Sequence, residues 1–140
     1  MSYKFIFICL FIIAFSDVSS QQIEMPFYYV DLECSFNTNS NKFIFNEKTE
    51  LYQASNCRFV TIDFSEYSLI AVQGFTGGCQ LPEVEFKVIR DISDKQYYIE
   101  AIVYQFGSCR RYNGYRKAIC LEKLEKNYKV DFEIRQVNIY

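Results

Sequence analysis

The second half of the chain carries the clearest alternation of apolar and polar side chains. Residues 84–88 alternate between apolar and charged side chains, and this period of two is typical of a half-buried strand. The polar stretch 91–96 predicts a turn. Residues 97–106 are apolar at both parities, which favours a strand in the middle of a sheet that is covered on both sides. Folding about the turn pairs Val88 with Ile99.

An Asn-Gly pair follows this predicted central strand. Asn113 and Gly114 have matching flanks, and Asn-Gly is a strong hairpin signal because both turn residues take a positive φ. The predicted turn places Tyr112 opposite Tyr115 and Arg111 opposite Arg116. Further strands are predicted over 118–124 and 128–135, and successive hairpins then make a C-terminal four-stranded antiparallel meander.

The first half of the chain has shorter and less regular patterns. Asn46 is predicted to cap a short helix that runs to about Ser55, with Leu51 facing inwards. With seven or eight strands and one helix, the predicted fold class is mostly β, an antiparallel β-sandwich or an open barrel. The strands predicted in this half cover residues 27–32, 42–45, 58–64 and 68–73.

The first twenty residues have the pattern of a secretory signal peptide. Lys4 precedes an unbroken apolar run over residues 5–15, which is too short to span a bilayer. Val18 and Ser20 provide the small side chains that a signal peptidase accepts. We therefore expect cleavage after Ser20, a single secreted or periplasmic domain over residues 21–140, and no stable membrane insertion after cleavage.

Five cysteines remain after this cleavage, and export exposes them to oxidising conditions. The strand register that pairs Val88 with Ile99 brings Cys79 and Cys109 within one residue of facing each other. A disulfide between these two cysteines is therefore predicted. The pairing of the other three stays open; they are Cys34, Cys57 and Cys120.

The residue types that enzymes use most are scarce. The chain has no histidine, so it lacks the usual general base and the commonest ligand of catalytic zinc. Glu83 and Glu85 share the polar parity of one strand, which favours a solvated face over a catalytic pair. The glycines at 77 and 78 precede no helix and do not predict a phosphate site. No catalytic, cofactor-binding or metal-binding residue is predicted.

Charge is unevenly distributed along the mature chain. Residues 21–108 carry 6 Lys or Arg against 12 Asp or Glu, whereas residues 109–140 carry 8 against 4. This asymmetry is too weak for a nucleic-acid-binding protein but gives one edge a basic character. Arg and Tyr are favoured in protein interfaces. The candidate binding surface is the tip of the predicted Asn-Gly hairpin, comprising Arg110, Arg111, Tyr112, Tyr115, Arg116 and Lys117.

One stretch of the chain resembles a known protein family. The residues that carry the resemblance are Ile62-Asp63-Phe64, Leu69-Ile70-Ala71-Val72, Thr76-Gly77-Gly78-Cys79 and Gly107-Ser108-Cys109. They resemble the PrcB-like protease-complex subunits, which are small exported bacterial proteins, over about residues 42–135. The resemblance implies a compact β domain that binds a secreted protease as a subunit or modulator. The chain departs from the family in lacking a lipid-attachment cysteine and in having Cys79 after the two glycines.

These observations predict a secreted, non-enzymatic binding domain whose partner is another protein. In a second hypothesis the chain is a small protease inhibitor that presents the loop 74–80. Two further alternatives are a small carboxylate-dependent hydrolase and a structural component of the cell envelope. The carboxylates that cluster in the sequence are Glu83, Glu85, Asp91 and Asp94. The alternative binding residues on the loop are Phe75, Thr76, Gly77 and Gly78.

Overall fold

The computed structural model describes residues 21–58 and 60–140. The predicted signal peptide lies outside these residues. The described part contains eight strands and one helix, in the order β1 (Gln22–Glu24), β2 (Phe27–Val30), β3 (Lys42–Phe45), α1 (Lys48–Ala54), β4 (Tyr67–Thr76), β5 (Glu83–Asp91), β6 (Gln96–Phe106), β7 (Asn113–Glu122) and β8 (Lys129–Ile139).

The strands form two four-stranded sheets. The first sheet has the order β1-β5-β6-β8, and the second has the order β2-β7-β4-β3. Apolar side chains from both sheets share one buried cluster, so the sheets pack face to face. The mostly β fold class and its sandwich form are confirmed, and the described strands do not close into a barrel.

The β5–β6 hairpin has the register that the sequence predicts. Val88 pairs with Ile99 and Phe86 pairs with Ala101. β6 lies between β5 and β8, as expected for a central strand. Its burial differs from the prediction, because alternate residues from Tyr98 to Tyr104 are only half-buried. Only one face of β6 is therefore fully covered.

The connections after β6 differ from a continuous antiparallel meander. β7 crosses to the second sheet, and β8 returns to the first sheet, where it lies parallel to β6. The residues from Ala118 to Leu121 on β7 are apolar at both parities and fully buried. Such a strand is most stable where both of its faces are covered, whereas the alternating β8 fits the edge of a sheet. Of the successive hairpins predicted, only β5–β6 forms.

The second sheet is covered on both faces. One face packs on the first sheet through side chains such as Ile70 and Ile119. The opposite face packs on α1 and its flanking segments, where Leu51 on the helix is fully buried among residues that include Leu69 and Phe43. β4 and β7 therefore lie at the centre of a three-layered molecule.

The helix forms where the sequence predicts it, with a different cap. The N-cap is Glu47, whose backbone N–H donates to the Glu50 carboxylate at 3.1 Å. The Asn46 side chain instead accepts a hydrogen bond from the Ser68 hydroxyl at 2.6 Å. That bond ties the start of the helix to β4, which explains why Asn46 does not act as the cap.

The strand predicted over residues 58–64 is absent from the described part of that range, which is residue 58 and residues 60–64. Val60, Ile62 and Phe64 are half-buried against the cluster that also contains Leu51. Their apolar surface is therefore covered without a strand partner. The Asp63 side chain then accepts the Ser65 backbone N–H at 2.9 Å and begins the turn into β4.

The described residues contain two disulfides, and one of them is the predicted pair Cys79–Cys109, with Cα atoms 4.8 Å apart. The second joins Cys34 to Cys57, with Cα atoms 4.9 Å apart. The remaining cysteine of the described chain, Cys120, is a buried free thiol on β7. No helix within residues 21–58 or 60–140 is long and apolar enough to cross a membrane.

Candidate interaction surface

The predicted Asn-Gly turn is instead part of a strand. Asn113 and Gly114 begin β7 and pair with Thr76 and Phe75 of β4. Of the described glycines, the ones with a positive φ are Gly78 and Gly107. The chain therefore turns before Asn113, in the loop 107–112.

Two contacts explain why this Asn-Gly pair does not form a turn. The Asn113 side-chain amide is buried and donates to the Gly78 carbonyl at 3.0 Å, which ties Asn113 to the loop that follows β4. The Cys79–Cys109 disulfide fixes the loop just before it. The predicted pairs across the turn are consequently wrong: Tyr115 pairs with Gly74, and Arg116 pairs with Gln73.

The two candidate binding sites of the sequence form one surface. The Gly78 backbone N–H donates to the Cys109 carbonyl at 3.0 Å, and the Cys79 N–H donates to the Phe106 carbonyl at 2.6 Å. Together with the disulfide, these bonds tie the loop after β4 to the loop after β6. We call residues 74–82 and 107–117 the loop end of the sandwich.

A two-stranded ribbon forms the base of the loop end. β2 pairs only with residues 118–121 of β7, and β3 pairs only with residues 69–72 of β4. The paired segments 73–76 and 113–116 thus extend beyond both neighbouring strands. Each glycine of this ribbon faces an aromatic residue on the opposite strand.

The aromatic rings of the ribbon lie on opposite faces. Tyr115 packs against the core between the sheets, and its half-buried ring crosses Gly74 so closely that a Cβ there would lie 2.6 Å from the Tyr115 hydroxyl oxygen. Burial raises the pKa of Tyr115. On the other face, the Phe75 ring covers Gly114. Tyr115 therefore supports the ribbon, while Phe75 is exposed to solvent.

The most exposed large apolar side chains gather at this end of the molecule. Phe75 is 70% exposed, Leu81 is 74% exposed and Tyr112 is 90% exposed. Tyr140 is 93% exposed, and it is adjacent to the loop end because the Gly107 N–H donates to the Ile139 carbonyl. A cluster of exposed aromatic and aliphatic side chains is typical of an interaction surface.

The same surface carries four exposed cations, Arg110, Arg111, Arg116 and Lys117. None of them forms an ion pair within the part of the chain that the structure describes; the ion pairs there are Arg90–Glu125 and Arg135–Glu100. The Lys117 ammonium lies 4.9 Å from the centre of the Tyr29 ring. The charge of the loop end is therefore not neutralised from within the chain.

Some residues of the predicted binding sets are buried and make contacts that stabilise the fold. Thr76 is buried and donates its hydroxyl proton to the Gln105 side chain at 2.7 Å. Gly78 is buried with a φ of 115°, and a Cβ there would lie 2.8 Å from the Phe106 carbonyl oxygen. The exposed members of the two predicted sets are Phe75, Arg110, Arg111, Tyr112, Arg116 and Lys117.

Sequence reasoning missed two exposed residues of this surface. Leu81 is a lone apolar residue between a polar residue and Pro82, a pattern that could have marked it as an exposed loop side chain. The local sequence does not predict that Tyr140 lies beside the loop end, because its position depends on the parallel pairing of β8 with β6.

Two hollows flank the ribbon where β2 ends. The outer hollow, of about 1030 Å³, lies between the ribbon and the loop 31–41, and Phe75 and Arg116 line it. The inner hollow, of about 440 Å³, lies between the ribbon and the start of β5, and Leu81 and Tyr115 line it. Both hollows share Tyr29 and residues 114–117.

The carboxylates considered for catalysis fall into two groups at opposite ends of β5, with Glu83 and Glu85 at one end and Asp91 and Asp94 at the other. Glu85 accepts a hydrogen bond from the Tyr104 hydroxyl at 2.9 Å, and Asp91 is buried at the other end of β5. Six residues of strand separate them by roughly 20 Å. Asp91 accepts the Asp94 backbone N–H and the Gln22 amide, which together lower its pKa. In residues 21–58 and 60–140, no group of three or more His, Cys, Asp or Glu side chains could hold a metal ion.

Comparisons with family models, with curated proteins and with solved structures find no match for this chain.

Proposed function

We propose that this protein is a secreted, non-catalytic binding domain that engages another protein through the loop end. One observation carries the proposal: unpaired cations and the most exposed apolar side chains lie together on a surface that a disulfide holds in place. Tyr and Arg are enriched among the side chains that dominate binding energy. The resemblance to PrcB-like subunits suggests a secreted protease as the partner.

The bonds within the loop end support this proposal energetically. A surface that is ordered before binding loses less conformational entropy when the partner arrives. The Cys79–Cys109 disulfide and the Asn113–Gly78 hydrogen bond supply that order here. The solvent-facing side chains Arg111 and Tyr112 are then displayed from a fixed backbone.

Secretion is the second element of the proposal. The pattern of residues 1–20 predicts a signal peptide, and two disulfides are typical of proteins from oxidising compartments. We propose that the mature chain starts at Gln21 and acts outside the cytosol, in the periplasm or beyond it.

Inhibition of a protease is a second candidate, favoured by the exposure of Phe75. Phe75 projects from β4 rather than from a free loop, and Leu81 projects from the loop that follows Cys79. Either side chain has the size and exposure to enter an apolar specificity pocket. A Phe75→Ala variant tests this candidate, because it should lose inhibition while keeping the ribbon paired.

The binding proposal is tested by isolating partners of residues 21–140 from the native secretome and measuring their affinity for a double variant. Arg111→Ser with Arg116→Ser should leave the fold unchanged, because both side chains are exposed. It should weaken binding by at least ~1–2 kcal/mol if either arginine is an anchor.

The matched control replaces two exposed lysines at the other end of the sandwich, Lys126→Ser with Lys129→Ser. This control removes the same charge and should bind as the wild type does. If the arginine variant shows unchanged affinity and unchanged salt dependence, the loop end is not the binding surface.

A further inference from the structure

The edge of β7 lacks a strand partner along the ribbon. β2 pairs with β7 from Ala118 to Leu121 and ends at Val30. The following residues, 31–33, form no ladder with β7, and Asp31 and Leu32 line the far side of the outer hollow instead. Residues 113–117 are paired with β4 on one side and have no described strand on the other. Alternate residues of this segment direct their N–H and C=O groups towards the open edge.

The two hollows lie on either side of this open edge. Successive side chains of a strand point to opposite faces, so a strand added beside residues 113–117 would direct them alternately into the two hollows. This is the arrangement by which strand addition combines backbone hydrogen bonds with side-chain specificity. Because the hollows receive side chains of the added strand, this open edge would bind some peptide sequences more tightly than others.

The chemistry of the hollows indicates what such a strand would carry. The outer hollow presents Arg116, with Asp31 as its only carboxylate among the described lining residues. The inner hollow presents the apolar surfaces of Tyr29, Tyr115 and Leu81, beside Lys117. Its two carboxylates are Glu83 and Glu85, of which Glu85 already accepts a hydrogen bond from Tyr104.

We propose that β7 accepts an extended segment of a partner protein as an added strand, with acidic side chains towards Arg116 and apolar side chains towards Tyr115. This inference rests on the proposed binding function and names the chemistry of the partner. A second copy of the chain is disfavoured, because pairing two β7 edges would bring the cations of both copies together.

The open outer edge of β8 differs from that of β7. β8 has no described strand on its outer side, but the Lys42 ammonium donates to the Phe132 carbonyl on this strand. Its exposed face carries charges of both signs, and charged side chains are a common protection of edge strands. We therefore assign strand addition to β7 and not to β8.

The test uses a short synthetic peptide of alternating glutamate and valine with blocked termini, added to isotope-labelled protein of residues 21–140. Saturable binding is expected, with slowed amide exchange at alternate positions of 113–117. The same peptide methylated at every backbone nitrogen should lose at least about tenfold in affinity, because it cannot form the ladder. A lysine–valine peptide should bind at least about tenfold more weakly than the acidic peptide.

A variant separates the edge from general charge effects. Arg116→Ser with Lys117→Ser should weaken binding of the acidic peptide about tenfold or more, whereas the Lys126→Ser, Lys129→Ser control should not. The proposal is overturned by absence of saturable binding at millimolar peptide, by equal binding of the methylated peptide, or by protection that maps to β8. The methylated-peptide comparison uses wild-type protein, so it still tests strand addition to β7 if the variant misfolds.

The two proposals fail in distinguishable ways. If a secreted partner depends on Arg111 and Arg116 but the acidic peptide does not bind β7, the binding function stands and strand addition is wrong. If the peptide binds at β7 while no secreted partner depends on these arginines, strand addition stands and the assigned surface of the proposed function is wrong.

Discussion

Gly74 and Gly114 lie on neighbouring strands of the ribbon but differ in what a side chain would meet. A Cβ at Gly74 would lie 2.6 Å from the Tyr115 hydroxyl oxygen, whereas a Cβ at Gly114 would lie 3.4 Å from the exposed Phe75 ring. Neither glycine has a positive φ, so the comparison is steric. Gly74→Ala should lower the free energy of unfolding by ~1–3 kcal/mol. Gly114→Ala should change it by less than ~0.5 kcal/mol.

Denaturant unfolding of the two glycine variants measures this difference. Equal effects of both substitutions would mean that Tyr115 does not pack across Gly74 in solution.

Asp91 provides a test of pH dependence at the scale of one residue. The Asp94 backbone N–H and the Gln22 amide donate to this buried carboxylate and lower its pKa in the folded state. Its stabilising contribution is therefore present above the unfolded-state pKa, near pH 4, and is lost as pH falls through the folded-state pKa. Asp91→Asn should reduce stability at pH 7 and flatten the loss of stability on acidification.

Urea unfolding at pH 7 and at pH 3 gives the two free energies of unfolding that test this prediction for Asp91. Asp131→Asn on the exposed face of β8 is the control, and it should leave both values close to those of the wild type. A wild-type pH dependence retained in the Asp91 variant would show that another group is responsible.

At the scale of the elements, the two disulfides have similar chain separations but different positions. Cys79–Cys109 spans 30 residues and Cys34–Cys57 spans 23. By chain entropy each stabilises the fold by ~3–4 kcal/mol. Replacing either pair with serine should therefore lower the free energy of unfolding by that amount. Only the loss of Cys79–Cys109 should also weaken partner binding, because only that bridge orders the loop end.

Calorimetry of both disulfide variants, with partner affinities measured below their unfolding temperatures, checks this distinction. The second pair acts as the control for general destabilisation. Equal weakening of binding by both variants would argue against a preordered loop end.

Elements with local signals were predictable from the sequence. The β5–β6 hairpin follows from alternation and a polar turn, and its register brought Cys79 and Cys109 together correctly. The predicted turn at Asn113–Gly114 does not form, although its local signal is strong. The buried amide of Asn113 and the disulfide at Cys109 are non-local contacts, and they override the turn preference.

At the scale of the whole molecule, the sequence pattern does not predict which strands belong to the same sheet. A period of two shows that a strand is half-buried, but it does not identify the sheet that the strand joins. The crossing of β7 and the parallel return of β8 therefore went unpredicted. The same crossing pairs Phe75 with Gly114, and it brings together two candidate binding surfaces that the sequence analysis treats as alternatives.

Hydrogen exchange of residues 21–140, free and bound to a secreted partner, tests the central claim most directly. The claim is that the loop end is the interaction surface of this protein. We expect partner-induced protection to concentrate in residues 74–82 and 107–117, with little change in α1 or on the exposed face of the first sheet. Protection confined to α1 or to that sheet face, with the loop end unchanged, would contradict the account.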